Sequence, residues 1–428
     1  MRKTLPFLLT ALLTAGLCFG QQVKLGSHEA KYAADGSLVP WTAWSDALDR
    51  EMTWYFHCPT EHGYPRFIST TFMDGKYEAL PKRPDSIPAM QNGMGIISYL
   101  KYYHYKHNSD QRILDVARAM GDYLVKESLT PDTGKYPRFT RSTGWRDKFP
   151  QPPDSGSQDD KPYEVQPDKG GIAGYALVLL YEESKSKPYL DQALQNARVL
   201  VSNMRADDGT HAPWPFRVDY RTGAARGEVS GNMSYILRLF DKLAAMGYSE
   251  FQKPREALWT WIHDYQIPNA SKDGMLWGEF FEDHRSEKNR TAWAPLNLAR
   301  YLIEEKQKID PNWQAHAQLL IDFVSTTFTS VHYGVAVCGE QDEDRDPWGG
   351  INSTYGAVLA MYSAATGSPE YKRIARQALT FTMYAIDDDG CPRDTLLDDH
   401  RGGWQEDAHT DKVHNIVDAI TAFPEWAN

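Results

Sequence analysis

Apolar positions recur along this chain at helical spacing in six segments, each opening just after a turn or a small residue. Gly171 opens GIAGYALVLLYEES, Gly231 opens GNMSYILRLFDKL, Thr291 opens TAWAPLNLARYLIEE, Ile351 opens INSTYGAVLAMYSAA and Asp411 opens DKVHNIVDAITAF, at intervals of sixty residues. Asn92 opens an earlier one, NGMGIISYLKYYHY. Self-similarity at one period marks a repeat architecture. A second amphipathic stretch follows each of the first five after a short polar link, over residues 111–127, 189–204, 251–265, 313–327 and 371–384. In both sets the apolar residues keep to one side, as Ala176, Leu179 and Leu180 do against Glu182 and Glu183. The repeating unit is therefore a helix hairpin.

Six first helices face only five second helices, and the Trp-rich segment 41–57 supplies the missing partner. No hairpin of this kind buries its apolar face alone, so a ring of six closed by the N-terminal helix is expected. The class is all-α, an (α/α)6 barrel or six-hairpin toroid with long loops on one face. The first set carries Gly93, Gly95, Gly171, Gly174 and Ala360 where helices crowd, and is predicted to form the inner ring. The second set, richer in Lys, Arg, Gln and Glu, is predicted to lie outside.

A Gly turn recurs at the end of each outer helix, at Gly63, Gly134, Gly209, Gly274, Gly334 and Gly390, where positive φ is expected. A short extended piece and a polar loop follow, so the long loops gather beside the N-termini of the inner helices. Functional residues are sought on that face. The period stretches to nearly eighty residues only between the first two inner helices, where the Pro-rich stretch 141–166 is either a solvated excursion or a flap.

Composition narrows the setting. MRKTLPFLLTALLTAGLCFG has the pattern of a secretory signal, so residues 1–20 are expected to be cleaved and residues 21–428 to form one catalytic domain, secreted or periplasmic. Cys18 raises a lipoprotein reading, but Ala15-Gly16-Leu17 is a poor lipobox. Losing Arg2 and Lys3 takes the net charge from −11 to −13, which argues against nucleic acid or an anionic membrane surface as partner. Cys58, Cys338 and Cys391 remain, enough for at most one disulfide.

Candidate chemistry lies on the loop face. Trp145, Trp214, Trp277, Trp348 and Trp404, with Tyr64, Tyr136, Tyr220 and Tyr355, offer flat rings for the apolar faces of sugars or pack loop onto loop. The positions after the repeated Gly read Arg66, Arg138, Arg217, Glu279, Glu340 and Arg393. Arginine grips a carboxylate with two parallel hydrogen bonds, so these residues fit a uronic acid, or else bridge to loop aspartates. Glycoside hydrolysis needs two carboxyl groups roughly 5–9 Å apart. The catalytic candidates are Asp168, Glu228, Glu279 and Glu340, with further acids at Glu282, Asp283, Asp342, Glu343, Asp346, Glu406, Asp407 and Asp411. Asp168 and Glu228 rank first because each stands directly before an inner helix. Expected substrate contacts are Arg66, Arg138, Arg217, Trp214, Asn232, Arg290, Trp293, Trp348, Tyr355, Trp404 and His409.

A lyase would instead need a base such as His284, His400, His409 or His414, with Arg217, Arg290 and Asn232 to stabilise developing charge. No metal or cofactor is predicted. The acidic run 341–346 lacks the EF-hand order, 387–390 reads as a turn, and no HExxH or paired Cys/His spacing occurs.

On this architecture the chain resembles the six-hairpin, (α/α)6-barrel carbohydrate-active enzymes over nearly all of its mature length. Unsaturated uronyl hydrolases of that group place catalytic aspartates near the starts of inner helices, which implies Asp168 and Glu228 here. Their Arg-Gly-x-Gly-Trp element has an echo in Arg290-Thr291-Ala292-Trp293, shorter by one residue and without either Gly. The resemblance implies an oligo- or polysaccharide as substrate and hydrolysis as the reaction, with β-elimination or a non-catalytic glycan-binding role as alternatives. The same toroid also carries sugar epimerases and terpene cyclases, so the fold alone does not select the chemistry.

Overall fold

A computed structural model describes residues 23–69, 72–73, 87–142, 163–278, 289–343, 345–347, 349–393, 396 and 404–428, with the main chain alone for 67, 69, 72–73 and 404–410. Twelve α-helices run through them: α1 Trp44–His57, α2 Pro88–Tyr105, α3 Gln111–Lys126, α4 Pro167–Ser184, α5 Lys187–Ser202, α6 Met233–Ala245, α7 Gln252–Trp261, α8 Trp293–Glu305, α9 Trp313–Thr327, α10 Gly349–Thr366, α11 Pro369–Met383 and α12 Glu406–Ala422. The even-numbered helices form a closed ring, each packing on both neighbours in the order α2, α4, α6, α8, α10, α12 and back to α2. The odd-numbered helices lie outside, α3 to α11 each paired with the inner helix before it, and α1 packs on α12. The expected closure is therefore observed.

Small residues permit the crowding. A Cβ placed on Gly93 would stand 2.8 Å from Ile172 of α4, and one on Gly171 would stand 2.6 Å from Ile236 of α6. Inner helices approach closely where neither side chain intervenes. The outer helices carry a one-sided apolar stripe, as α3 does with Ile113, Leu114, Ala117, Met120 and Leu124 buried. One continuous core results, and Cys58, Cys338 and Cys391 lie buried in it with no disulfide among them.

Five of the six turn glycines have positive φ, from 76° at Gly334 to 96° at Gly134. Gly274 is the exception. There Asp273 accepts the Met275 N–H at 2.9 Å and caps a 3-10 turn, Gly274–Leu276, so no left-handed residue is needed.

Two short N-terminal ribbons, Lys24–Leu25 with His28–Glu29 and Lys31–Tyr32 with Leu38–Val39, were not predicted. They bury Leu25 and Leu38 against Val335, Val337, Phe381 and Tyr384, forming a small second core over the fifth repeat. No described helix is long and apolar enough to cross a membrane. Residues 1–20, expected to be a secretory signal, and most of the 141–166 stretch lie outside the described residues.

Candidate functional site

The inner helices begin at one rim, and the polar residues of their first turns gather there. Asp168 sits in the first turn of α4, fully buried. Its Oδ1 accepts the Lys169 main-chain N–H at 2.9 Å, and its Oδ2 accepts Lys169 Nζ at 3.1 Å and the Asn232 main-chain N–H at 3.0 Å. A Cβ on Gly231 would fall 2.8 Å from that carboxylate. Asp168 therefore clamps the start of α4 to the start of α6, with Asn232 as the cap residue of α6. Both its oxygens are committed to protein donors.

Glu340 occupies a different sector. Residues 340–342 run antiparallel beside 290–292: the Ala292 N–H donates to the Glu340 carbonyl at 2.9 Å, and the Asp342 N–H to the Arg290 carbonyl at 2.9 Å. This pairing fixes Glu340 between α8 and α10. Its Oε1 accepts the indole N–H of Trp293 at 3.0 Å, and both side chains are buried. Asp411, in the next sector on α12, is also buried. Its charge helps raise the Tyr235 phenol above its usual value, an effect led by burial, and Tyr235 belongs to α6 across the ring. Three buried carboxylates, Asp168, Glu340 and Asp411, therefore lie in or shortly before the N-terminal parts of inner helices.

Below the rim the lumen is filled with paired polar groups. Lys101 of α2 and Arg300 of α8 both bind Asp418 of α12, at 2.6 and 2.7 Å. Arg300 also donates to Asn415, whose Nδ2 donates to Ser353 and Thr354 of α10 at 2.9 Å. Arg238 of α6 pairs with Glu304 of α8, and Lys242 with Glu182 of α4 at 2.7 Å. These bonds tie inner helices together through their polar faces, most of them between neighbours and those of Arg300 from α8 to α12 past α10.

His414 lies in this network, buried on α12 with Nδ1 at 3.0 Å from Ser98 Oγ. Burial, then the charges of Arg300, Lys101 and Arg238, push its imidazole well below the usual value. Above about pH 6.5 it is neutral folded and unfolded alike. Below that pH only the unfolded chain takes the proton, so its contribution to stability is lost as pH falls toward the folded value. A slope of up to about 1.4 kcal/mol per pH unit is expected. Urea denaturation at pH 7.5, 6 and 5 should show a steeper decline for the parent than for His414→Gln, and equal slopes would refute the assignment.

Other expected site residues are placed differently. Glu228 does not join Asp168: it is half-exposed and held bidentately by Arg205, at 2.7 and 3.0 Å, and that bond lowers its carboxyl below the usual range. Trp214 is a core residue rather than a sugar platform, fully buried with its indole N–H on the Leu200 carbonyl at 2.9 Å. Trp277 is likewise enclosed, donating to the Ala270 carbonyl at 2.8 Å. Tyr355 is buried with its hydroxyl 3.0 Å from Ser325 of α9. Tyr64, Tyr136 and Tyr220 are buried too.

The arginines have carboxylate partners. Arg138 lies 3.3 Å from Asp132, Arg217 lies 3.9 Å from Glu164, Arg290 grips Asp342 at 2.7 and 3.1 Å, and Arg393 donates to Asp387 at 2.8 Å. No ion pair engages Arg66 among the described residues; it opens a 3-10 turn, Arg66–Ser69. The Trp404 main chain pairs with Met73, and His409 lies on α12. Their side chains, together with Glu279, Trp348, Trp145, His284 and His400, lie outside the described residues.

Comparison with solved structures gives the architecture its place. The chain superposes on D-mannose isomerase with a TM-score of 0.64 at 12% identity, covering 90% of this chain and 99% of that one. Cellobiose 2-epimerase from Spirochaeta thermophila gives 0.64 at 12% identity, over 89% and 96%. This is the six-hairpin toroid fold. A family 76 glycoside hydrolase from a bovine Bacteroides thetaiotaomicron strain shares the toroid, at 0.57 and 13% identity over 90% and 78%. The sequence matches no protein-family model and no curated protein. Identities this low show the toroid alone, so its chemistry rests on the rim residues.

Proposed function

We propose that this chain is an exported carbohydrate-active enzyme that hydrolyses glycosidic bonds at the rim of the inner ring. The carrying observation is the buried Glu340 carboxylate, held by the Trp293 indole between α8 and α10. Asp411 in the adjacent sector supplies the second carboxyl group that acid/base hydrolysis requires. Asp168 positions the α4 and α6 helix starts and keeps them from moving apart. Because Arg138, Arg217, Arg290 and Arg393 face protein carboxylates, the reading favours a neutral, hydroxyl-rich glycan over a uronate. Toroid neighbours named as a glycoside hydrolase, an epimerase and an isomerase support a sugar as substrate.

A second reading, proton transfer at a sugar carbon without bond cleavage, is favoured by the neutral imidazole of His414 in the lumen. One experiment separates these readings from elimination. A panel of neutral and uronate-containing glycans is incubated in H2-18O and, separately, in D2O, and the products are read by mass spectrometry and NMR. Hydrolysis gives shorter products carrying one 18O. Epimerisation or isomerisation gives a product of unchanged length with deuterium on carbon, and elimination gives an unsaturated product without 18O. Either of the last two outcomes overturns the hydrolase reading.

A further inference from the structure

On the outer helices, three side chains from two adjacent hairpins converge. His263 lies in a π-helical turn, Ile262–Gln266, that continues α7. Asp310 and His316 lie just before and within α9. The two imidazole rings meet edge to face with centroids 5.4 Å apart. One ring nitrogen of each and a carboxylate oxygen of Asp310 all lie within 4.8 Å of one another.

Hydrogen bonding fixes the tautomers. His316 Nδ1 stands 2.6 Å from Asp310 Oδ2, and His263 Nδ1 stands 2.6 Å from Asp264 Oδ1. A carboxylate only accepts, so Nδ1 is the donor in both rings, and in the neutral imidazole that leaves Nε2 as the nitrogen with the lone pair. A carboxylate behind each imidazole is the arrangement that orients and strengthens metal-ligating histidines. Asp310 is fully buried, and the Asn312 N–H holds its other oxygen at 2.8 Å, so it is a fixed support. The π turn is a second, independent mark, because π-helical turns within α-helices are frequent at functional sites.

We infer that His263 and His316 form a site for a divalent transition ion of the zinc type, with Asp310 and Asp264 as the orienting carboxylates. The ion joins the end of α7 to the start of α9. Tetrahedral zinc places its nitrogen ligands about 3.3 Å apart, so the ligand atoms, now within 4.8 Å of one another, draw in around the ion. Imidazole nitrogen is the donor that suits zinc, nickel and copper, whereas magnesium and calcium prefer oxygen. The sequence hides the site because its two ligands are fifty-three residues apart, on different repeats.

Isothermal titration of the full chain with zinc chloride, after chelator treatment, tests the inference. One equivalent is expected to bind, with at least a 10-fold loss of affinity in His263→Ala and in His316→Gln. Asp310→Asn is expected to weaken binding by about 10–100-fold. Since Asp310 is buried and its variant could fail to fold, His263→Ala, at an exposed ring, carries the decision together with cobalt substitution. The cobalt-loaded parent should show visible d–d bands that the His263→Ala variant lacks. Absence of zinc uptake by the parent overturns the site, as does uptake or a cobalt spectrum unchanged in His263→Ala/His316→Gln.

Discussion

Lys412→Met is expected to destabilise the fold by about 3–5 kcal/mol at pH 7, the cost of leaving one member of a buried ion pair without its partner. Lys412 of α12 and Glu51 of α1 are both fully buried, with Nζ 3.7 Å from Oε1. Tyr55 donates its hydroxyl to the same Oε1 at 2.8 Å, and Lys412 also reaches the Arg393 carbonyl at 3.2 Å. Burial raises the Glu51 carboxyl and Lys412 holds it down. Without the lysine, Glu51 must be buried as an unpaired anion or take up a proton. The loss should therefore shrink as pH falls and the carboxyl protonates. Replacing both charges in Glu51→Gln/Lys412→Met should recover most of the stability, since an apolar or neutral pair of similar volume is close to neutral overall. Urea unfolding of the single and double variants checks this. Equal losses in both, or a single-variant loss under about 1 kcal/mol, would show that the pair does not hold the ring closed.

That pair sits where the count of helices left a gap. The period placed the inner helices to within a few residues, because crowding at Gly93 and Gly171 imposes the same small-residue pattern on successive repeats. It also assigned α1 to the last position, and the structure adds the joints: Ser45 N–H to the Ala427 carbonyl at 3.1 Å, and Trp44 edge-on to Trp426 at 5.1 Å. What stayed hidden is the partner of each polar or aromatic side chain. Arg205 lies twenty-three residues before Glu228, and no spacing rule announces that they grip each other. Trp214 and Trp277 had the residue type of a sugar platform, yet each indole donates to a carbonyl inside the core, and buried tryptophan commonly does so. The N-terminal ribbons escaped notice because strands of two residues have no period to read.

Glu340→Gln should abolish most of the activity while leaving the fold intact, and Asp168→Asn should do the reverse in kind. The Glu340 side chain accepts one indole N–H, and its position is set by main-chain bonds at 290–292 that an amide does not disturb. An amide oxygen still accepts from Trp293. The amide lacks the ability to give or take a proton, so kcat is expected to fall about 10²–10⁴-fold with little change in KM. Trp293→Phe removes the donor that aims Glu340, and a smaller fall in kcat is expected, with a shifted pH profile. Asp168 differs because both oxygens accept N–H groups, from Lys169 and from Asn232. An amide there turns an NH2 toward an existing donor, leaving buried groups unsatisfied at about 1–3 kcal/mol. Asp168→Asn should therefore lower the unfolding midpoint and lose activity in proportion to the folded fraction. Steady-state kinetics on the glycan identified by the labelling experiment, paired with urea unfolding of the same preparations, distinguishes the two. Full activity in Glu340→Gln would remove Glu340 from the mechanism, and normal stability with abolished kcat in Asp168→Asn would make Asp168 a reacting carboxylate instead of a clamp.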